Sequence, residues 1–215
     1  MSVLALVFAA GDGGQLGTQL PAAFVRVGGV PLVVRAVRCV IDSGAVDRVI
    51  VAARPCELAK ARSLFAADSA RVGALGWPGM SGSLVFPDDV HTVVVHDATR
   101  PLTPPTLVAS VVSASVACDG VAVPVLPVSD TIKRLDPVGT VLGTEDRAGL
   151  RTPQTPIALP ADLLRNTRLE IPGELEVPAL LDQLGEPVHF VPGDPDAFEL
   201  RTAWDLQLAE LLVST

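Results

Sequence analysis

Val3-Leu4-Ala5-Leu6-Val7-Phe8 runs straight into Ala9-Ala10-Gly11-Asp12-Gly13-Gly14-Gln15-Leu16-Gly17, and then into Leu20-Pro21-Ala22-Ala23-Phe24. The first stretch reads as a strand, the second as a glycine-rich loop, the third as a helix start. A strand, glycine loop and helix in that order let free backbone N–H groups converge on a phosphate. No lysine or arginine precedes Arg26. A triphosphate site normally adds cations to its amides, so this loop keeps the shape of such a site without its charge.

The rest of the chain alternates between strand and helix patterns. Pro31 opens a helix whose buried face is Val33, Val37, Val40 and Ile41, and Gly44 ends it. Residues 46–52 read as a strand, 57–65 as a helix and 72–75 as a short strand. His91-Thr92-Val93-Val94-Val95 is a buried strand that ends at His96-Asp97. Pro104-Pro105 opens a helix through about Ala117, and residues 120–125 form the next strand. This order predicts an α/β fold, a mostly parallel sheet with helices on both faces and right-handed crossovers. Ligands in such sheets sit at the carboxyl ends of the strands, where the glycine loop and Asp97 both fall.

The alternation breaks at Asp130. Thr131–Leu135 and Thr140–Thr144 flank Asp136-Pro137-Val138-Gly139, a hairpin pattern. A two-stranded ribbon is marginal alone in water, so residues 130–147 are expected to pack on something, with a second copy of the chain as the candidate. Residues 151–160 are proline-rich and read as a loop. Residues 179–184 read as helix, 188–191 as strand and 202–212 as a closing helix with Thr202 at its N-cap.

At 215 residues without a linker or repeat, the chain reads as one domain. A net charge of −8 argues against general binding of nucleic acid or anionic membrane. No apolar run reaches the ~20 residues of a bilayer span, and no cationic segment precedes the first apolar stretch, which therefore reads as a strand and not a signal peptide. Cys39, Cys56 and Cys118 are odd in number and widely spaced. They give no zinc pattern and suit a reducing cytoplasm.

Taken in order, a set of motifs resembles one known family. They are Ala9-Ala10-Gly11, Leu20-Pro21 with Phe24, Gly28–Leu32, Val95-His96-Asp97-Ala98-Thr99-Arg100-Pro101, Pro127–Lys133, Arg147 with Leu150, Gln154-Thr155-Pro156, and Gly193-Asp194-Pro195 with Phe198. This ordered set, nearly end to end, is similar to the methylerythritol-phosphate cytidylyltransferases of non-mevalonate isoprenoid synthesis. The resemblance implies a Rossmann-like nucleotidyltransferase domain whose hairpin arm joins a homodimer. It also implies transfer of CMP from CTP to a sugar-alcohol phosphate, with pyrophosphate released and Mg²⁺ as cofactor. Such chemistry depends on positioning and cations more than on an acid or base.

Residue by residue, the resemblance assigns Asp97 to the metal and, with Arg100, to catalysis and the substrate phosphate. It assigns Thr131 and Arg147 on the arm to substrate, with Arg147 completing a neighbour's site. Ala9, Ala10, Gly11, Gly13, Gly76 and Ser83 would face the nucleotide. Three positions depart from the pattern: Gln15 stands for an arginine, and Ala22 and Glu199 each stand for a lysine. Gly76-Trp77-Pro78-Gly79-Met80 alters the cytosine wall, where Trp77 could fill the volume of a base. Leu175-Glu176-Val177 lacks the family's threonine. Each lost transition-state donor costs ~3–4 kcal/mol, and only Arg26 and Arg201 lie close enough in sequence to compensate. The sequence therefore supports two readings, an enzyme of this family and a catalytically silent homologue that binds a ligand or partner. A nicotinamide oxidoreductase fits poorly. Leu16 replaces the third glycine of a dinucleotide loop, and residues 52–55 offer no ribose-binding acid.

Overall fold

Strand β1 (Ser2–Ala9) lies inside an eight-stranded sheet. After it come β2 (Arg26–Val27), β3 (Val30–Pro31), α1 (Leu32–Asp42), β4 (Arg48–Ala53), α2 (Leu58–Leu64), β5 (Val72–Gly76), β6 (Val90–Asp97), α3 (Pro105–Cys118) and β7 (Val121–Pro127). The second half holds β8 (Lys133–Leu135), β9 (Val141–Thr144), β10 (Arg151–Pro153), β11 (Ile157–Pro160), α4 (Ala161–Asn166), α5 (Val177–Leu184), β12 (Val188–Pro192) and α6 (Ala203–Ser214). The computed structural model describes residues 2–77, 87–166 and 175–214. Ser83 and residues 78–80 of the altered cytosine wall lie outside the described residues.

The sheet pairs in the order β10-β7-β11-β6-β1-β4-β5, with β12 also on β7. The β1–β4, β1–β6, β4–β5 and β7–β12 pairs are parallel, as the alternation predicts. Side chains of β1 alternate between two cores, and this explains its unbroken apolar run. Val3, Ala5, Val7 and Ala9 face α1 and α3. Leu4, Leu6, Phe8 and Ala10 face Leu164 of α4 and Val177, Leu180 and Leu184 of α5. The sequence-derived helix face is also found: Val33, Val37 and Val40 are buried, Ile41 packs at the core's margin, and Gly44 takes a positive φ of 67°.

Two expectations are corrected. The stretch after the glycine loop starts no α-helix but makes a three-residue 3-10 turn at Ala22–Phe24 and passes into β2. Residues 151–160 are not a loop but two short strands that run antiparallel to β7, and β11 sits between β6 and β7. Ile157, Ala158 and Leu159 have no measurable exposure. Pro153 and Pro160 close their strands instead of interrupting them, so the missing N–H groups cost little. The hairpin forms as expected, but its strands are shorter, pairing Lys133–Leu135 with Val141–Thr144. Its turn is tied by the Asp136 carboxylate, which accepts N–H bonds from Val138 and Thr140.

Candidate active site

Two parallel strands end side by side. Phe8 of β1 pairs with Asp97 of β6, and the Ala98 N–H donates to the Phe8 carbonyl at 2.9 Å. The glycine loop therefore leaves the sheet beside Asp97. It turns through a short 3-10 helix at Gly14–Leu16 and returns so that the Ala22 N–H reaches the Gly11 carbonyl at 3.3 Å. Gly13 is required by this return, because a Cβ there would collide with the Leu20 carbonyl oxygen. Leu16 and Ala22 anchor the loop in a third apolar cluster with Leu200 and Ala209.

Between these elements lies a cleft. The loop contributes Ala9, Ala10, Gly11, Gln15 and Ala22 to its wall, β6 contributes Asp97, and the late segment contributes Glu199 and Arg201. The amides of Asp12 and Gly13 have no acceptor among the described residues, while the Gly14 N–H is taken by the Asp12 carboxylate at 3.1 Å. Among the described residues, Asp12, Asp97, Glu176 and Glu199 all line the cleft, against Arg201 as the cation. The wall therefore carries more negative than positive charge.

Asp97 is held on one side only. Its Oδ1 accepts from the Thr99 N–H and the Thr99 hydroxyl, both at 2.8 Å. Its Oδ2 has no partner among the described residues. Burial, with a smaller push from the Glu199 charge, raises its pKa from 3.8 to about 6. Beneath it, the Asp97 N–H donates to the Thr155 hydroxyl at 3.1 Å. That hydroxyl is 3.0 Å from His96 Nδ1, and His96 Nε2 lies 3.8 Å from Cys39 Sγ. Burial, then the Arg100 charge, brings His96 down to about 3, so the ring is neutral. Cys39 is pushed up to about 12, chiefly by burial.

Arg100 does not line the cleft. Its side chain lies beneath the wall, where Nη1 donates to the Ala197 carbonyl at 2.7 Å and Nη2 to Glu199 Oε2 at 2.9 Å. Arg201 reaches the same carboxylate from the other side, with Nε donating to Oε1 at 2.7 Å. Arg26, the other candidate cation, instead donates to the Gly29 carbonyl. The Glu199 segment is fixed by Gln154, whose Nε2 donates to the Asp194 and Ala197 carbonyls and whose Oε1 accepts the Asp194 N–H. Neither the Gln154 clamp nor the His96–Thr155 support was assigned a role from sequence. The signal available was that His96, Gln154 and Thr155 stand in the motifs that carry the resemblance.

The remaining expected residues lie apart. Gly76 ends β5, opposite Ala53. Trp77, 3% exposed, packs edge-on against Phe8 with ring centroids 5.3 Å apart, so it belongs to the core beneath the cleft. Thr131 and Arg147 are exposed on the arm, where Arg147 donates to the Ser129 carbonyl.

Known proteins share this architecture. The family model described as 2-C-methyl-D-erythritol 4-phosphate cytidylyltransferase matches residues 3–215. The protein of that description from Rhodococcus opacus is 45% identical, covering 98% of this chain and 95% of its own, and that from Nocardia farcinica is 43% identical, covering 99% and 94%. The crystal structure of the Thermus thermophilus cytidylyltransferase covers both chains fully at 28% identity with a TM-score of 0.72. The 4-diphosphocytidyl-2C-methyl-D-erythritol synthase structure from Anaerococcus prevotii reaches a TM-score of 0.78 at 18% identity, a likeness of fold. The matched motifs, the sheet order and the cleft at the ends of β1 and β6 agree with one assignment: this chain belongs to the 2-C-methyl-D-erythritol 4-phosphate cytidylyltransferase family.

Proposed function

We propose that this chain binds CTP and 2-C-methyl-D-erythritol 4-phosphate in the cleft and joins them in non-mevalonate isoprenoid synthesis. A phosphate oxygen of the acceptor forms the new bond to the α-phosphorus of CTP, the bond to the β-phosphate breaks, and pyrophosphate leaves. The observation that carries this reading is that Asp97, whose Oδ2 has no partner among the described residues, lines one cleft with the glycine loop. The loop amides would orient the phosphates.

Mg²⁺ fits Asp97. This hard cation commonly takes only one or two carboxylates and completes its shell with water and phosphate oxygens, and no group of three acidic, histidine or cysteine ligands occurs among the described residues. When bound, it would neutralise charge on the phosphate oxygens.

We further infer a homodimer through residues 130–147, supported by the exposed Leu135, Val138, Val141 and Leu142 on the arm. Thr131 and Arg147 would then serve the partner's cleft. No helix among the described residues is long and apolar enough to cross a membrane, and we place the reaction in the cytoplasm.

A second reading, binding without turnover, is favoured by Gln15, Ala22 and Glu199, which leave the cleft wall short of cations. Pyrophosphate release with millimolar CTP, acceptor and Mg²⁺ separates the two. Turnover within ~100-fold of an active family member supports the enzyme, and none above the buffer blank supports the silent homologue.

A further inference from the structure

Glu199 holds its carboxylate between two guanidinium groups, with Arg100 on Oε2 and Arg201 on Oε1. Each oxygen receives one charge-assisted bond, the arrangement in which two arginines would share the oxygens of a phosphoryl group. The three side chains differ in freedom. Arg100 is 10% exposed and anchored to the Ala197 carbonyl, Glu199 is 22% exposed, and Arg201 is 60% exposed. The carboxylate is thus a small, partly exposed partner on a buried arginine, and it borders the same cleft as Asp97 and the glycine loop.

We propose that Arg100 and Arg201 form a two-guanidinium receptor for a phosphoryl group, and that the Glu199 carboxylate holds its place in the ligand-free protein. An arriving phosphate brings two negative charges where Glu199 brings one, and the displaced carboxylate turns to water at the cleft mouth. The protein thereby keeps its cations aligned without a ligand, at the cost of competition with any anion that binds. The inference deepens the reading of the cleft as a phosphate-handling site. It names the residues, found at positions 199 and 201 of this chain, that set its affinity.

Calorimetry on the full chain without Mg²⁺ tests it, with two probes: inorganic pyrophosphate for the nucleotide side and glycerol 3-phosphate for the acceptor side. Relieving one close like charge is worth about tenfold, so Glu199→Gln is expected to tighten at least one probe by about that factor. The probe that gains identifies which phosphate the receptor takes. Adding Arg201→Ala to Glu199→Gln is expected to remove the gain. Asp196→Asn, a neutralised exposed acid outside the cluster, is expected to change neither probe. The proposal is overturned if Glu199→Gln binds both probes no tighter than wild type, or if its gain survives Arg201→Ala or is matched by Asp196→Asn. Melting curves of each variant exclude misfolding as the cause. The readout is independent of turnover: a gain without pyrophosphate release keeps the receptor and removes the enzyme, while release without a gain does the reverse.

Discussion

Asp97 carries a cost that its neighbours only partly offset. Its pKa of about 6 in the fold, against 3.8 ordinarily, corresponds to about 3 kcal/mol at roughly 1.4 kcal/mol per unit. Above pH 6 the group is ionised in both folded and unfolded chains, and the full cost is present. Below about pH 4 it is protonated in both, and the cost is gone. Asp97→Asn keeps an acceptor for Thr99, so it is expected to melt higher than wild type at pH 8, with the difference closing by pH 4. Thermal melts across pH check this. The same variant is expected to lose stabilisation by CTP with Mg²⁺, because a ligand that binds the native state must raise its melting temperature. Cys39 gives a second test. With its thiol near 12 and its side chain buried, it should resist iodoacetamide at pH 8 while exposed Cys56 reacts, as peptide mass spectrometry would record. The candidate roles of Asp97 and Arg100 were visible in the motif that carries them. The pairing of Arg100 with Glu199 was not, because 99 residues separate them and only the fold brings them together.

Two elements hold the site, and each has its own test. The segment from Gly193 to Phe198 is clamped by Gln154, and Gly193 sits so close to the Gln154 side chain and the Val125 backbone that a Cβ would collide. Gln154→Ala leaves the Asp194 amide without its acceptor, while the Asp194 and Ala197 carbonyls each lose one donor and keep another, from the Ala197 N–H and Arg100, and the change is expected to destabilise by about 1–3 kcal/mol in denaturant melts. Its effect on anion binding should exceed that of an equally destabilising core change elsewhere, since it releases the segment that carries Glu199. The arm is the second element. Leu142→Glu on its exposed face is expected to leave the fold intact and give a monomer in sedimentation, where the wild type is expected to be a dimer. A monomeric wild type at tens of micromolar would refute the arm's proposed role. The hairpin was legible because its turn chemistry is local: Asp136 and Gly139, with φ of 90°, specify it almost alone.

At the scale of the molecule, the parallel half was read from β1, β4 and β6, each a strong apolar run with a helix or turn after it, and from the shorter, weaker pattern of β5. The antiparallel insertion was missed for a physical reason. Ile157-Ala158-Leu159 is only three residues between prolines, and what makes it a strand is burial between β6 and β7, not any local preference. That placement makes β11 a keystone, and the consequence lies in how the chain comes off the ribosome. The strands of the first half meet β7 and β12 only through β11. Until residues 157–160 emerge, a nascent chain exposes an open edge on β6 and open edges on β7, all apolar and ready to pair with a stranger. The two parts of the sheet are joined late and from the middle, so one hazardous interval in synthesis spans the arm, and a second lasts until β12 covers the far side of β7.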